Sequence, residues 1–247
     1  MPQPEPQARI ALIHALEESV APARDAFAAA WPEAYCFDLL DTSLAVDRAS
    51  RGMLDRAMFE RFRTLADYAR STEGLGGGTS GILFTCSAFG PAIDAVRATI
   101  GVPVLRPNES AFEEALEAGS RLGLVVSFGA SLDSLTDELS AMAAKRGQAV
   151  TVRSVLADGA LAALKQGDCA THDRLVADAA RQLTDVDVII LGQFSLARAR
   201  AEIERHAGPP IVTTPQSAAR AMRRKIMALA NNPGASDSRA LSQDFIS

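Results

Sequence analysis

The segment Thr85-Cys86-Ser87-Ala88 carries the strongest chemical signal in the chain. It follows the apolar run Gly81 to Thr85, which reads as a strand, and precedes PAIDAVRATI, which reads as a helix. A thiol at a strand-to-helix turn can point into a cleft, and the unpaired N–H groups and dipole of a helix N-terminus favour its thiolate. The thiolate is the form that acts as nucleophile or base. The alternative is a small buried residue packed under the helix, and position alone does not separate the two. Thr85 and Ser87 flank the thiol and can offer a hydroxyl or an amide to a carboxylate.

Other polar residues collect where strands end. His14 closes the first strand and is a candidate for contacting substrate or shuttling a proton. Ser127 closes RLGLVVS, and Ser131 stands where the next helix starts, as a plausible N-cap and a place where an anion is favoured. Thr213 and Thr214 end the last strand. Ordinary turn and capping chemistry accounts for any one of these; their shared position at strand ends is what singles them out. Cys36 sits mid-strand among apolar neighbours and reads as a packed thiol, and Cys169 in GDCATHD as incidental. His172 and His206 read as surface residues near helix ends, and Met222 to Lys225 as a solvated helix face. Three scattered histidines and three widely spaced cysteines give neither metal-ligand spacing nor a disulfide framework, so no metal is expected.

The elements that must hold these residues alternate. Strands are expected at 9–15, 34–40, 81–85, 121–127, 149–156, 186–191 and 210–213. Helices are expected at 20–30, 55–71, 91–100, 110–119, 131–146, 158–166, 171–183, 195–206 and 215–230, the last with Pro215 in its first turn. GLGGG, from Gly74 to Gly78, is expected to end the 55–71 helix. The last residues, NNPGASDSRALSQDFIS, read as a loose tail with at most one helical turn. Alternating strands and helices favour parallel sheets covered by helices, here in two series side by side. The pattern apolar strand, small polar turn, helix occurs at GILFTCSAFGPAI and again at DVIILGQFSLARA. Ligands of open parallel sheets bind beyond the carboxyl ends of the strands, where both turns lie.

Composition bounds the function. With 247 residues the chain is long enough for one large α/β domain or two compact lobes. Hydrophobic residues make up 48% but aromatics only 5%, so aliphatic side chains and alanine must fill the core. The net charge of −5 and the lack of a basic patch argue against nucleic acid as a partner. No apolar run approaches the ~20 residues that cross a bilayer, and the polar MPQPEPQA start is unlike a signal peptide, so a cytoplasmic protein is expected.

The strand ending in Thr85-Cys86-Ser87-Ala88, a third of the way along, resembles the first cysteine motif of the aspartate/glutamate/hydantoin racemase superfamily. The second motif of hydantoin-type members is a strand followed by Gly-Cys-Ala-Gly-Met-Ala; the matching segment here is Gly192-Gln193-Phe194-Ser195-Leu196-Ala197. The resemblance covers roughly residues 9–230. It implies an α/β fold of two Rossmann-like lobes, each a mostly parallel sheet flanked by helices, with the active site in the cleft between them. The implied division is 1–104 plus 215–247 for a first lobe completed by the C-terminal helix, and 105–214 for the second. It also implies a cofactor-independent racemase or isomerase acting at the α-carbon of a small carboxylate or hydantoin-like substrate, and it allows a homodimer or higher homo-oligomer. Racemases of this kind place two cysteines on opposite faces of a carbon acid, and backbone amides and hydroxyls hold the developing enolate. Ser127, Thr213 and Thr214 match family positions near the substrate.

One position departs from that pattern. Gln193 stands where the second cysteine belongs, and an amide exchanges no protons at neutral pH; it only donates and accepts hydrogen bonds. Ser195 lies two residues on, but an unactivated serine is a weak base. Chemistry through one cysteine has precedents in arylmalonate decarboxylases and maleate isomerases, neither of which matches this cysteine pattern fully. Cys86 is therefore a one-sided acid/base or a covalent nucleophile, in a racemase or isomerase, or in a decarboxylase, lyase or hydrolase of the same superfamily. A ligand-binding pseudoenzyme is the reading from another class.

Overall fold

The computed structural model describes residues 7–231, so the N-terminal six residues and the expected C-terminal tail beyond its first residue, Asn231, lie outside the described residues. Within it the chain builds two parallel sheets. β1 (Ala8–His14), β2 (Ala34–Leu40), β4 (Gly77–Phe84) and β5 (Val104–Leu105) form the first in the order β2-β1-β4-β5. β6 (Arg121–Val126), β7 (Thr151–Leu156), β8 (Val188–Leu191) and β9 (Ile211–Thr213) form the second in the order β7-β6-β8-β9. Every pairing among these eight strands is parallel. The two sheets thus repeat one topology, in which β1 corresponds to β6 and β4 to β8.

Helices connect and cover the strands. The first sheet takes α1 (Val20–Ala30), α2 (Ser43–Arg51), α3 (Arg56–Ser71) and α4 (Gly90–Arg97). The second takes α5 (Glu109–Ala118), α6 (Leu132–Lys145), α7 (Ala160–Lys165), α8 (Cys169–Ala180) and the short α9 (Arg200–Ile203), and α10 (Thr214–Asn231) closes the described chain. Local chemistry sets several of these bounds. Pro22 falls in the first turn of α1, where a missing N–H costs nothing, and the helix ends at Trp31, just before Pro32. Asp55 caps α3 by accepting from the Met58 N–H at 2.9 Å. Met58, Phe62, Ala66 and Ala69 then form its buried stripe at helical spacing.

Because the strands are covered on both faces, alternate residues serve different cores. Ala11, Ile13, Ile82 and Phe84 pack with Met58, Phe62 and Ile93 from α3 and α4. Ile10, Leu12 and Leu83 pack with Phe27 from α1 and Ala218, Ala219 and Met222 from α10. Gly81 allows that last contact, since a Cβ there would stand 2.7 Å from the Met222 sulfur.

Three details differ from the sequence expectation. GLGGG does not simply stop a helix: Gly77 and Gly78 open β4 and pair antiparallel with β3 (Glu73–Gly74). Gly76 turns this hairpin at φ +80°, with a Cβ position only 2.7 Å from the Ala8 carbonyl, so no other residue fits without a shift. The helix expected at 195–206 is instead a 3-10 turn over Phe194–Ala199 followed by the single turn of α9. α2 and the two-residue β5 were not foreseen at all.

Candidate active site

The two sheets meet along their carboxyl edges. The 3-10 turn Glu17–Ser19 after β1 lies against the 3-10 turn Phe194–Ala199 after β8. Phe194, 2% exposed, is buried in the first sheet's core beside Ile10, Leu12 and Leu83. The turn that carries Gln193 is therefore anchored to the lobe that carries Cys86.

Cys86 occupies the N-cap position of the 3-10 turn Ser87–Phe89, in extended backbone at φ −116° and ψ 122°. Gln193 occupies the same position of its own turn, at φ −135° and ψ 148°. Corresponding strands of the two sheets thus deliver a thiol and an amide in matching conformations. The thiol is partly buried and borders a crevice too narrow to admit a water-sized sphere, lined by Ile13, His14, Ala15, Leu44, Phe62 and Phe84. Burial pushes its pKa up to about 11, and a hydrogen bond from the Ala88 N–H pulls the other way without prevailing. This corrects the expectation of a thiolate held by a helix end. The α-helix begins only at Gly90, one 3-10 turn later, and one N–H does not offset desolvation. The resting group at neutral pH is the thiol, a proton donor.

Behind Cys86 lies a buried polar chain. His14 is 0% exposed; its Nε2 is 3.0 Å from Asp38 Oδ1, and its Nδ1 is 2.9 Å from Thr85 Oγ1 and 3.2 Å from Ser19 Oγ. The Arg24 guanidinium holds the other Asp38 oxygen. A carboxylate only accepts, so Nε2 carries the proton and Nδ1 accepts from a hydroxyl. Ser19 donates to the Leu16 carbonyl at 2.7 Å, which leaves Thr85 as the donor to Nδ1. Both ring nitrogens and the Thr85 hydroxyl are committed inside the protein. The chain ties the end of β1 to the turn that presents the thiol, and His14 also lines the crevice beside Cys86.

Burial lowers the His14 pKa, outweighing the raising influence of Asp38. An imidazole that binds its proton less well folded than unfolded makes the unfolded chain the better proton acceptor. Stability is therefore lost as pH falls from about 6.5 toward the depressed folded value. The thermal midpoint should fall more steeply between pH 7.5 and 5.5 in the native protein than in His14→Gln; parallel curves would refute the assignment.

The opposite edge carries the remaining candidates. Gln193 Oε1 accepts from the Ser127 N–H at 2.7 Å and from the Ser127 hydroxyl at 2.9 Å. This link joins the ends of β6 and β8 as the His14–Thr85 contact joins the ends of β1 and β4. Ser87, in the thiol's own turn, is partly buried. Ser131 is buried at the head of α6, but its side chain makes no capping hydrogen bond, because a 3-10 turn, Gly129–Ser131, precedes the helix. Thr213 and Thr214 are buried with hydroxyls that find no partner, as are both polar atoms of Asn108. Buried polar groups left unpaired cost about 1–3 kcal/mol each, and they remain able to bind a polar ligand.

Sequence reasoning missed Asp38, Ser19, Arg24 and Asn108. Asp38 had a signal, a lone carboxylate in the apolar run AYCFDLL. Asn108 stands at the N-cap position of α5, yet its side chain does not cap the helix. His172, expected at the surface, is fully buried, with Nδ1 2.7 Å from Asp173, which pairs with Arg198. Cys36 is partly buried in β2, and burial raises its pKa to about 12. Among the described residues no cluster of three His, Cys, Asp or Glu side chains is arranged to hold a metal. Nor is any helix among them long and apolar enough to cross a membrane. A groove of about 500 Å³ between α1 and α10 is lined by alanines, Gln216 and arginines, and by none of the strand-end residues.

Two parallel sheets of one topology, flanked by helices and in contact through the turns that follow β1 and β8, define the α/β architecture. A profile of the Asp/Glu/Hydantoin racemase family matches residues 8–222, and the chain belongs to that family. Comparison with curated proteins gives no match. Similar solved structures include a glutamate racemase isoform from Bacillus anthracis, with 14% identity and a TM-score of 0.66 over 93% of this chain and 84% of that one. An allantoin racemase from Pseudomonas fluorescens has 16% identity and a TM-score of 0.61, over 90% and 91% of the two chains. A mutant arylmalonate decarboxylase has 20% identity and a TM-score of 0.58, over 89% and 93%. At these identities the likeness is one of fold; the family match supports an isomerase-type enzyme.

Proposed function

We propose that the protein is a cofactor-independent enzyme acting at the α-carbon of a small carboxylate or hydantoin-like substrate, with Cys86 as its proton-transferring group. The observation that carries this reading is the pairing of unlike groups at equivalent turns: a partly buried thiol after β4 and an amide after β8. A thiol on one side only favours one-sided chemistry over the two-thiol racemisation of the family pattern. When a carboxylate on the α-carbon leaves as carbon dioxide, the bonding pair moves into the adjacent carbonyl and leaves a planar enediolate. The S–H bond of Cys86 then breaks, its proton goes to the α-carbon, and the pair stays on sulfur until water returns a proton. His14, Asp38 and Thr85 fix the turn during this transfer.

Proton NMR in D₂O with aspartate, glutamate, 5-substituted hydantoins, arylmalonates and maleate tests the reading. Deuterium entering an α-position, or loss of CO₂ with deuterium delivered to one face, is the expected result. Alkene isomerisation of maleate would instead make Cys86 a nucleophile. Silence from folded protein across the whole panel would count against α-carbon chemistry.

A further inference from the structure

Gln193 is not a neutral filler of an abandoned thiol position. Its Oε1 accepts two hydrogen bonds from Ser127, one from the backbone N–H and one from the hydroxyl. A backbone N–H can only donate, so the atom facing it must be oxygen, and the amide cannot be turned over without placing NH₂ against N–H. The Nε2 protons have no protein partner among the described hydrogen bonds and belong to a side chain that is only partly buried. The neighbouring Phe194 is locked in the first sheet's core, so the turn bearing the amide is fixed as well. The outcome is a rigid N–H donor on the turn after β8, the topological counterpart of the turn after β4 that carries Cys86.

We infer that Gln193 is a catalytic hydrogen-bond donor, locked by Ser127, that holds the substrate's carboxylate or imide oxygen while it becomes an enediolate oxygen. The inference rests on the α-carbon reading above and deepens it. A donor fixed before reaction is worth most where negative charge develops. An amide also delivers no proton, so the face opposite the thiol is held electrostatically and left unprotonated. The substrates that suit this site are those carrying a carbonyl or carboxylate oxygen on the Gln193 side and receiving a proton from the Cys86 side alone.

The test needs no knowledge of the natural substrate. Phenylacetate, succinate and 5-methylhydantoin are titrated into uniformly ¹⁵N-labelled protein. The Gln193 side-chain amide pair is assigned by its disappearance in Gln193→Glu, and shielding of Cys86 from iodoacetamide at alkaline pH is read in parallel by peptide mass spectrometry. The expected result is a saturable shift of the Gln193 amide protons over the concentrations that shield Cys86. Gln193→Glu, which keeps the shape and the Ser127 contacts but presents an acceptor, should weaken binding about ten- to hundred-fold. Ser127→Ala removes the hydroxyl's hydrogen bond while the backbone N–H still holds Oε1, and the loosened amide should weaken binding several-fold, with alkylation of the ligand-free thiol unchanged; it also serves as the variant if Gln193→Glu does not fold. Shielding of Cys86 by a probe that leaves the Gln193 amide unmoved, with binding to both variants within two-fold of native, overturns the role of Gln193 and spares that of Cys86. Neither shielding nor shift with any probe overturns both.

Discussion

Replacing Cys86 with alanine is expected to lower turnover of any substrate the NMR panel reveals by ~10²–10⁴-fold, the range for removing a positioned acid or base. The fold should survive, because the substitution removes one sulfur atom from a partly buried site that borders a narrow crevice. Cys86→Ser should fare little better, since a hydroxyl gives up its proton far less readily than a thiol. The deuterium signal and a urea unfolding curve, measured side by side, separate chemistry from stability. A second readout follows from the raised thiol pKa. Alkylation of Cys86 in the free enzyme should keep accelerating toward pH 11, the value to which burial pushes it. A rate already levelling off near pH 7 would mean a resting thiolate and would make Cys86 a base or nucleophile instead.

The largest stability effect is expected at Phe62. Its ring is 2% exposed, stacks on Phe84 at 5.2 Å and meets Phe89 at 4.7 Å. Phe84 ends the strand before the thiol turn and Phe89 closes that turn, so this α3 residue is the floor beneath Cys86. Phe62→Ala should cost about 3–5 kcal/mol in urea unfolding, through lost burial and the cavity left behind. Phe62→Leu, which keeps most of the volume, should cost much less. Equal losses for the two, or a loss below about 1 kcal/mol, would mean that the aromatic stack does not carry the turn.

The sequence revealed those parts of the molecule that repeat a period or punctuate one. Alternating apolar runs and amphipathic stretches located the longer strands and most helices, and the small residues after GILFT and VDVIIL marked both turns. Two-residue strands such as β5 contain no period to read, and a nine-residue helix such as α2 contains barely two turns. The supports of the site were hidden for another reason. Asp38 reaches His14 because β2 lies beside β1 in a register that pairs Leu12 with Asp38 and His14 with Leu40. The hydrogen bond joins residues 24 positions apart, and the Ser127–Gln193 bonds span 66. Register between parallel strands is settled by packing over the whole sheet, which no local stretch encodes. The electrostatic state of Cys86 was misjudged likewise: the helix end was legible, but the depth of burial that overrides it was not.

The position of α10 governs the order in which the molecule can assemble. The helix comes from the far end of the described chain, yet Ala218, Ala219 and Met222 cover Ile10, Leu12 and Leu83 near its beginning, and Arg223 bonds the Ala30 carbonyl across 193 residues. During synthesis the first sheet therefore emerges with one apolar face covered by α1 alone, and it stays so until the whole second sheet has been made. Contacts of such long range slow folding, and an incompletely covered apolar face invites association in the interval. The first sheet is thus made before the second and completed after it, and a nascent chain stalled before α10 would have its thiol turn seated on the α3 side while the opposite face of the same sheet stayed unfinished.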